Sequence, residues 1–198
     1  MDNNNKSIGV LALQGAFAEH IDMLNNLGAT CYEIRNLDDL ACRDYDGLVL
    51  PGGESTAQSN LLIKLGMYDR LRELIASGTP TLATCAGSIL LSKSIANSSV
   101  PHLGTLPVSI KRNAYGRQLG SFYGIYDMGE IKNFPMIFIR APYFEKILDD
   151  KVKVLATVDD KIVAVRYNNQ LALSFHPEVS TDSRIHKYFL ELTYDISR

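Results

Sequence analysis

Cys85, His176 and Glu178 are the residues of this chain whose types and settings can do covalent chemistry. Cys85 stands in Ala83-Thr84-Cys85-Ala86-Gly87, after the apolar, β-prone stretch Thr81-Leu82-Ala83 and before Ser88-Ile89-Leu90-Leu91, which reads as the start of a helix. A small-residue turn at such a junction lifts a thiol off the sheet edge and leaves the first N–H groups of the helix free to hold negative charge beside it. The competing reading is a buried cysteine acting as a small hydrophobe. Ser174-Phe175-His176-Pro177-Glu178 supplies the complement. Residues two apart in an extended segment face the same side, so the Glu178 carboxylate can hold one imidazole nitrogen of His176 while the other faces a nucleophile. Pro177 fixes φ and stiffens the pair. A His and a Glu in a surface turn would need no such purpose, but with a nucleophile at another strand end the pattern is that of a Cys-His-Glu triad.

Pro51-Gly52-Gly53-Glu54-Ser55 follows the apolar run Gly47 to Leu50 and brings a glycine turn to the same end of the sheet. A Gly52 or Gly53 N–H, with that of Ala86, suits an oxyanion hole. A phosphate cradle is the rival, and the loop lacks the Lys-Ser/Thr of a P-loop and the G-x-G-x-x-G of a dinucleotide turn. Arg112 and Arg117, in Lys111 to Gln118, can orient a substrate carboxylate through paired N–H donors, although loops of this composition commonly just face solvent. Arg140, directly after the apolar Met136 to Ile139, must leave the core or meet an anion. Gln14-Gly15 ends the first strand, where an α/β sheet presents its ligand crevice. His20, His102 and His186 have no partner that spacing identifies and read as structural or solvent-facing.

The elements that must position these groups alternate. Ile8 to Leu13 is an apolar run suited to a strand covered on both faces, and Ala18 to Leu27 has helical spacing through Ile21, Leu24 and Leu27. Strands follow at Cys31–Ile34, Gly47–Leu50 and Thr81–Ala83, with one helix from Leu61 to Ile75 broken at Gly66. From about Gly104 to Leu173 the pieces are shorter and extended: Ser121–Tyr123, Met136–Ile139, Val152–Val158, Ile162–Arg166 and Leu171–Leu173. Asp159-Asp160 and Asn168-Asn169 read as hairpin turns. A helix from Asp182 to Leu192, capped by Asp182 or Thr181, closes the chain. The fold class is α/β: one flavodoxin-like three-layer sandwich over residues 1–198, with a mostly parallel central sheet, flanking helices and a β-rich C-terminal half. Residues 1–6 are expected to be flexible.

At 198 residues and 46% hydrophobic, the chain suits one core rather than two. Twenty basic against twenty-two acidic residues, without a long run of either sign, predict neither a nucleic-acid nor a membrane partner. The start resembles no signal peptide and no apolar run approaches the roughly 18 residues of a membrane span. Cys31, Cys42 and Cys85 have no metal-ligand spacing and suit a reducing compartment, so a cytoplasmic protein is expected. The sequon Asn97-Ser98-Ser99 is then incidental.

Together the motifs resemble the class I, triad-type glutamine amidotransferases. Leu13-Gln14-Gly15, Pro51-Gly52-Gly53-Glu54-Ser55-Thr56, Thr84-Cys85-Ala86-Gly87, Arg112-Asn113-Ala114-Tyr115-Gly116-Arg117-Gln118, Phe138-Ile139-Arg140-Ala141-Pro142 and Ser174-Phe175-His176-Pro177-Glu178 are similar to the motif set of the glutaminase subunits of pyridoxal 5′-phosphate synthase. The cysteine and His-Pro-Glu motifs indicate the superfamily, and the two arginine segments the subfamily. The resemblance implies hydrolysis of L-glutamine to glutamate and ammonia without metal or cofactor, and delivery of ammonia to a barrel-shaped synthase subunit that makes the vitamin B6 coenzyme. It implies that Cys85 attacks the amide, His176 moves the proton and Glu178 orients His176. Gly52, Gly53, Glu54, Arg112, Ile139 and Arg140 fall on glutamine-binding positions, Gly53 and Ala86 on the oxyanion hole, and Gln14 on the segment that meets the partner. In that family the isolated glutaminase is weak or silent until the synthase docks, so Gly53 is not expected to complete the hole unaided. Three positions depart from the family pattern: Ala83 replaces a common Gly, Tyr123 a common Glu, and Val179-Ser180 the usual Leu-Thr. The rival classes are a Cys-elbow relative of the peptidase or redox-chaperone type, against which the His-Pro-Glu segment counts, and a flavodoxin-like binding module, against which the missing phosphate signature counts.

Overall fold

A computed structural model describes residues 5–96, 102–112 and 121–194. The sequon and residues 113–120, including Arg117, lie outside them. In chain order the elements are β1 (Ser7–Leu11), α1 (Phe17–Asn26), β2 (Thr30–Ile34), α2 (Leu37–Ala41), β3 (Gly47–Leu50), α3 (Ser55–Lys64), α4 (Tyr68–Ala76), β4 (Thr81–Thr84), α5 (Ala86–Leu91) and β5 (Ser92–Ile95). Then come β6 (Leu106–Lys111), β7 (Ser121–Met128), β8 (Ile131–Ile139), β9 (Tyr143–Ile147), β10 (Lys153–Val158), β11 (Lys161–Tyr167), β12 (Gln170–Leu173), a 3₁₀ turn at Pro177–Val179 and α6 (Arg184–Tyr194).

The main sheet runs β2-β1-β3-β4-β12-β11-β9-β6-β5, with β10 paired to β11, and β7-β8 form a separate antiparallel ribbon. From β2 to β12 every neighbour is parallel. These strands are covered on both faces, which is why they read as unbroken apolar runs. Successive residues serve opposite layers: Val49 packs with Leu24, Phe175, Ile185 and Phe189 toward α1 and α6, whereas Leu48 and Leu50 pack with Leu62, Leu71 and Ile75 toward α3 and α4. The central sheet with flanking helices agrees with the expected fold class.

Several local expectations shift. The single broken helix is two helices, α3 and α4, parted where Gly66 takes φ +67°. The first begins at Ser55, earlier than its polar sequence suggests, because the Glu54 carboxylate caps it, accepting from Thr56 N–H at 3.0 Å and Ala57 N–H at 2.7 Å. The short helix α2 and the strands β5, β6 and β9 have no counterpart in the sequence reading. Both hairpin turns are present, with Asp159, Asp160 and Asn168 at positive φ. Asp182 accepts the Arg184 N–H at 3.1 Å at the start of α6. Of the segment 1–6, residues 1–4 lie outside the described residues. Lys6 is buried, its ammonium 3.1 Å from Asp46, just ahead of β3, and 3.2 Å from the Thr193 carbonyl in α6. Among the described residues no helix is long and apolar enough to cross a membrane.

Candidate active site

Strand order determines where the site forms. β1 connects outward to β2 and the chain then returns to β3 on the other side of β1, so the topological switch lies between β1 and β3, and a crevice opens at their carboxyl ends. Gln14 and Gly15 leave β1 there, Gly52 and Gly53 leave β3, and Cys85 leaves β4. The parallel register that pairs Thr84 with Leu173, and Cys85 N–H with the Leu173 carbonyl at 2.8 Å, brings in the segment that ends in His176.

Cys85 sits on the bend between β4 and α5 with φ 46° and ψ −101°, a conformation costly to a residue with a side chain, on the order of 1–3 kcal/mol. The helix that follows is locked down: Ser88 Oγ donates to the Leu173 carbonyl at 2.7 Å, and a Cβ on Gly87 would lie 2.0 Å from the Leu50 carbonyl oxygen. The thiol is 7% exposed, enough for a small reactant to reach. Cys31 differs, since burial pushes its thiol up to about 12 and leaves it inert.

His176 Nδ1 lies 2.7 Å from Glu178 Oε1, and the His176 N–H donates to the Ile137 carbonyl at 2.8 Å. The pairing is as expected but its cause is different. Pro177–Val179 is a 3₁₀ turn, so Glu178 folds back onto the ring and does not run parallel to it along a strand. Burial opposes charge on His176, but hydrogen bonds to Cys85 and Glu178 and their negative charge overcome it and push its pKa up to about 10. With Nδ1 engaged by Glu178, Nε2 faces the sulfur. A base so raised accepts the Cys85 proton readily.

The glycines divide the work. Gly52 N–H donates to Thr84 Oγ1 at 3.0 Å and its carbonyl accepts from Ala16 N–H at 3.1 Å, so it has no donor left for an oxyanion. Gly52 makes room for the base instead: a Cβ there would stand 2.3 Å from His176 Cε1. Gly53 N–H makes no hydrogen bond to the described residues, and Ala86 N–H, at the first position of α5, has no acceptor within its helix. Gln14 Oε1 accepts from Glu54 N–H at 2.7 Å and would lie 2.5 Å from a Cβ on Gly53, so Gln14 and the glycine loop are in contact.

A cavity of about 300 Å³ opens over the sulfur. Gln14, Gly53, Glu54, Arg112, Ile139, Arg140 and His176 line it. Arg112 is already engaged, 3.0 Å from Glu54 Oε1 and 3.2 Å from Thr56 Oγ1. Burial opposes the charge on Glu54, but N–H donors from Thr56 and Ala57 and the Arg112 charge hold it below the usual carboxylate range. Arg140, at φ 46°, has no ion pair among the described residues. The structure thus gathers Gln14, Gly53, Glu54, Cys85, Arg112, Ile139, Arg140 and His176 around one cavity, with Glu178 buried against His176, Gly52 against the imidazole, and Ala86 beginning the adjoining helix. Thr84 and Ser88 carry no signal in the sequence, and His20 and His186, expected to be structural or solvent-facing, are fully buried. His20 precedes Leu24 by one helical turn, which places it on the apolar face of α1, and that was the available signal.

Fold and site together define a class: a triad-type glutamine amidotransferase on a doubly wound sheet. The model of the SNO glutamine amidotransferase family matches residues 10–194. The chain is 56% identical over 184 residues to the pyridoxal 5′-phosphate synthase subunit PdxT of Desulfitobacterium hafniense (strain DSM 10664 / DCB-2), covering 93% of this chain and 92% of that protein. It is 56% identical over 185 residues to the subunit of the same name from Methanocorpusculum labreanum, covering 93% and 96%. A crystal structure titled as a glutamine amidotransferase aligns with a TM-score of 0.88 at 41% identity, over 94% of this chain and 98% of the other. The chain belongs to the SNO glutamine amidotransferase family.

Proposed function

We propose that this protein hydrolyses L-glutamine and supplies the ammonia to a pyridoxal 5′-phosphate synthase. The observation that carries the chemistry is His176 held by Glu178 beside a cysteine on a strained elbow. Cys85 Sγ attacks the side-chain amide carbon as its proton passes to His176 Nε2. The oxygen becomes an oxyanion within reach of the Ala86 and Gly53 N–H groups. His176 returns the proton to the leaving nitrogen, ammonia departs and a thioester remains. Water, deprotonated by the same imidazole, then cleaves the thioester to glutamate and restores the thiol. Arg140 takes the α-carboxylate, and Glu54, held in place by Arg112, faces the α-ammonium. Arg140→Met is expected to raise the KM for glutamine about 10-fold with less than about a threefold change in kcat; an unchanged KM would remove Arg140 from the binding site.

The partner reading rests on the relatives' names and on Gln14. The synthase subunit is barrel-shaped, and Gln14, which touches both Gly53 and Glu54, is the residue through which docking reaches the oxyanion loop. Three free cysteines accord with a cytoplasmic setting. The test is ammonia release from glutamine by the purified chain, with and without the synthase subunit of the same source. Release stimulated by the partner is expected. Release indifferent to it would sink the partner reading, and none in either case would sink the glutaminase reading.

A further inference from the structure

Behind Glu178, on the side away from the sulfur, two histidines are sealed from solvent: His20 from α1 and His186 from α6. His20 Nε2 is 3.4 Å from Glu178 Oε2 and 3.2 Å from Thr84 Oγ1, and His20 Nδ1 is 2.9 Å from His186 Nε2. Glu178 Oε2 is buried and has no hydrogen-bond partner among the described residues; the His20 ring stands at ion-pair distance from it while its Nε2 is hydrogen-bonded to Thr84 Oγ1.

These distances assign the protons. An ionised carboxylate only accepts, so the nitrogen facing it, His20 Nε2, carries hydrogen. Burial keeps the His20 ring neutral, and its Nδ1 is then bare and accepts the Nε2–H of His186. His186 in turn has a bare Nδ1, which is buried without a hydrogen-bond partner among the described residues. The donors therefore run from α6 through α1 to Thr84 Oγ1, beside the Glu178 carboxylate. Thr84 adds a branch: its hydroxyl meets the same His20 nitrogen and accepts the Gly52 N–H at 3.0 Å.

We propose that His20 is a positioning residue of this glutaminase: its Nε2–H, held at Thr84 Oγ1, faces the free oxygen of Glu178 at 3.4 Å and steadies the carboxylate that aims His176, while Thr84 ties the same ring to the Gly52 loop. The inference rests on the glutaminase reading above. The ionisable groups around the ring are Glu178 and His176 from the segment after β12, His186 from α6 and Glu19 from α1 itself.

His20→Leu removes the N–H dipole that faces a buried carboxylate oxygen lacking any hydrogen bond of its own, which disfavours the ionised form. The carboxyl then protonates at higher pH, and whatever depends on an ionised Glu178 fails at higher pH too. His20→Gln keeps an N–H donor of similar reach. The measurement is the rate of Cys85 alkylation by iodoacetamide against pH on the full chain, read peptide by peptide so that Cys31 and Cys42 are separate. The acid limb is expected to move up by about one pH unit in His20→Leu and to stay near wild type in His20→Gln. In ammonia release, kcat of His20→Leu is expected to drop ~10-fold at neutral pH with an unchanged KM. An acid limb that stays in place in His20→Leu overturns the proposal, as does an equal shift in both variants, which would make His20 a packing residue. Alkylation does not need glutamine, so failure of the glutaminase reading and failure of this one are distinguishable.

Discussion

Cys85→Ala is expected to abolish ammonia release, by at least about 10³-fold, while the protein folds and binds its partner as before. Alanine keeps a Cβ, so the elbow at φ 46° retains its strain and the loops that lean on it keep their places. Cys85→Gly is the informative companion. It removes the nucleophile and also the strain, so it is expected to unfold at a higher temperature than Cys85→Ala, by the equivalent of about 1 kcal/mol. Full ammonia release by Cys85→Ala would exclude the thiol as nucleophile. The pH dependence of stability changes as well. The His176 pKa is raised in the folded state, so the stability its cation contributes is fully present below its ordinary value of 6.5 and is lost as pH rises toward about 10. Without the sulfur that helps to raise it, the loss sets in at lower pH, measurable as an earlier alkaline fall of the melting temperature in Cys85→Ala.

Gly52→Ala is expected to cost at least about 100-fold in kcat/KM although it alters no catalytic group. The new methyl would lie 2.3 Å from His176 Cε1 and 2.9 Å from Nδ1, closer than non-bonded atoms approach. The imidazole has nowhere to retreat, since Glu178 holds its Nδ1 at 2.7 Å and the His176 N–H is bonded to Ile137 at 2.8 Å. Either the ring turns away from Cys85 or the glycine loop lifts off Thr84, and both outcomes disarm the site. Gly66→Ala is the control, because nothing lies within 4 Å of the added carbon and only its positive φ is strained. It is expected to lower stability and leave kcat/KM unchanged. Wild-type turnover by Gly52→Ala in steady-state assays would refute the packing of His176 on that backbone.

The parallel strands were legible because burial on both faces writes itself as uninterrupted apolar runs, as in Gly47–Leu50 and Thr81–Thr84. Cys85 drew notice because it directly follows one such run, and His176 and Glu178 because they come within a few residues of another, Leu171–Leu173. What escaped depends on long-range pairing. β6 and β9 draw their order from each other and from β11, and nothing within Leu106–Lys111 announces that. The start of α3 was hidden because Ser55 to Ser59 is polar, and the helix there is secured by the Glu54 cap and by Gln58, whose Nε2 donates to the Gln14 carbonyl at 2.9 Å. The role of Gly52 was half visible. Glycine pairs after a strand suggest close approach, but whether a ligand or a neighbouring side chain approaches is decided only by register. Buried His20 and His186 gave the weakest signal, since a histidine on an apolar helix face looks the same whether it packs or holds a carboxylate.

The pairing of β4 with β12 has a bearing on how the protein is made. Cys85 follows a strand made early in synthesis, and His176 lies beyond β12, a late strand that pairs with β4 on one side and β11 on the other. A growing chain that has passed Leu91 but not reached Gln170 holds the thiol without its imidazole, so it can pack much of one layer and still release no ammonia. Hydrolytic competence therefore waits on the segment after β12, and a copy in which β12 is missing or unpaired with β4 has no imidazole beside its thiol.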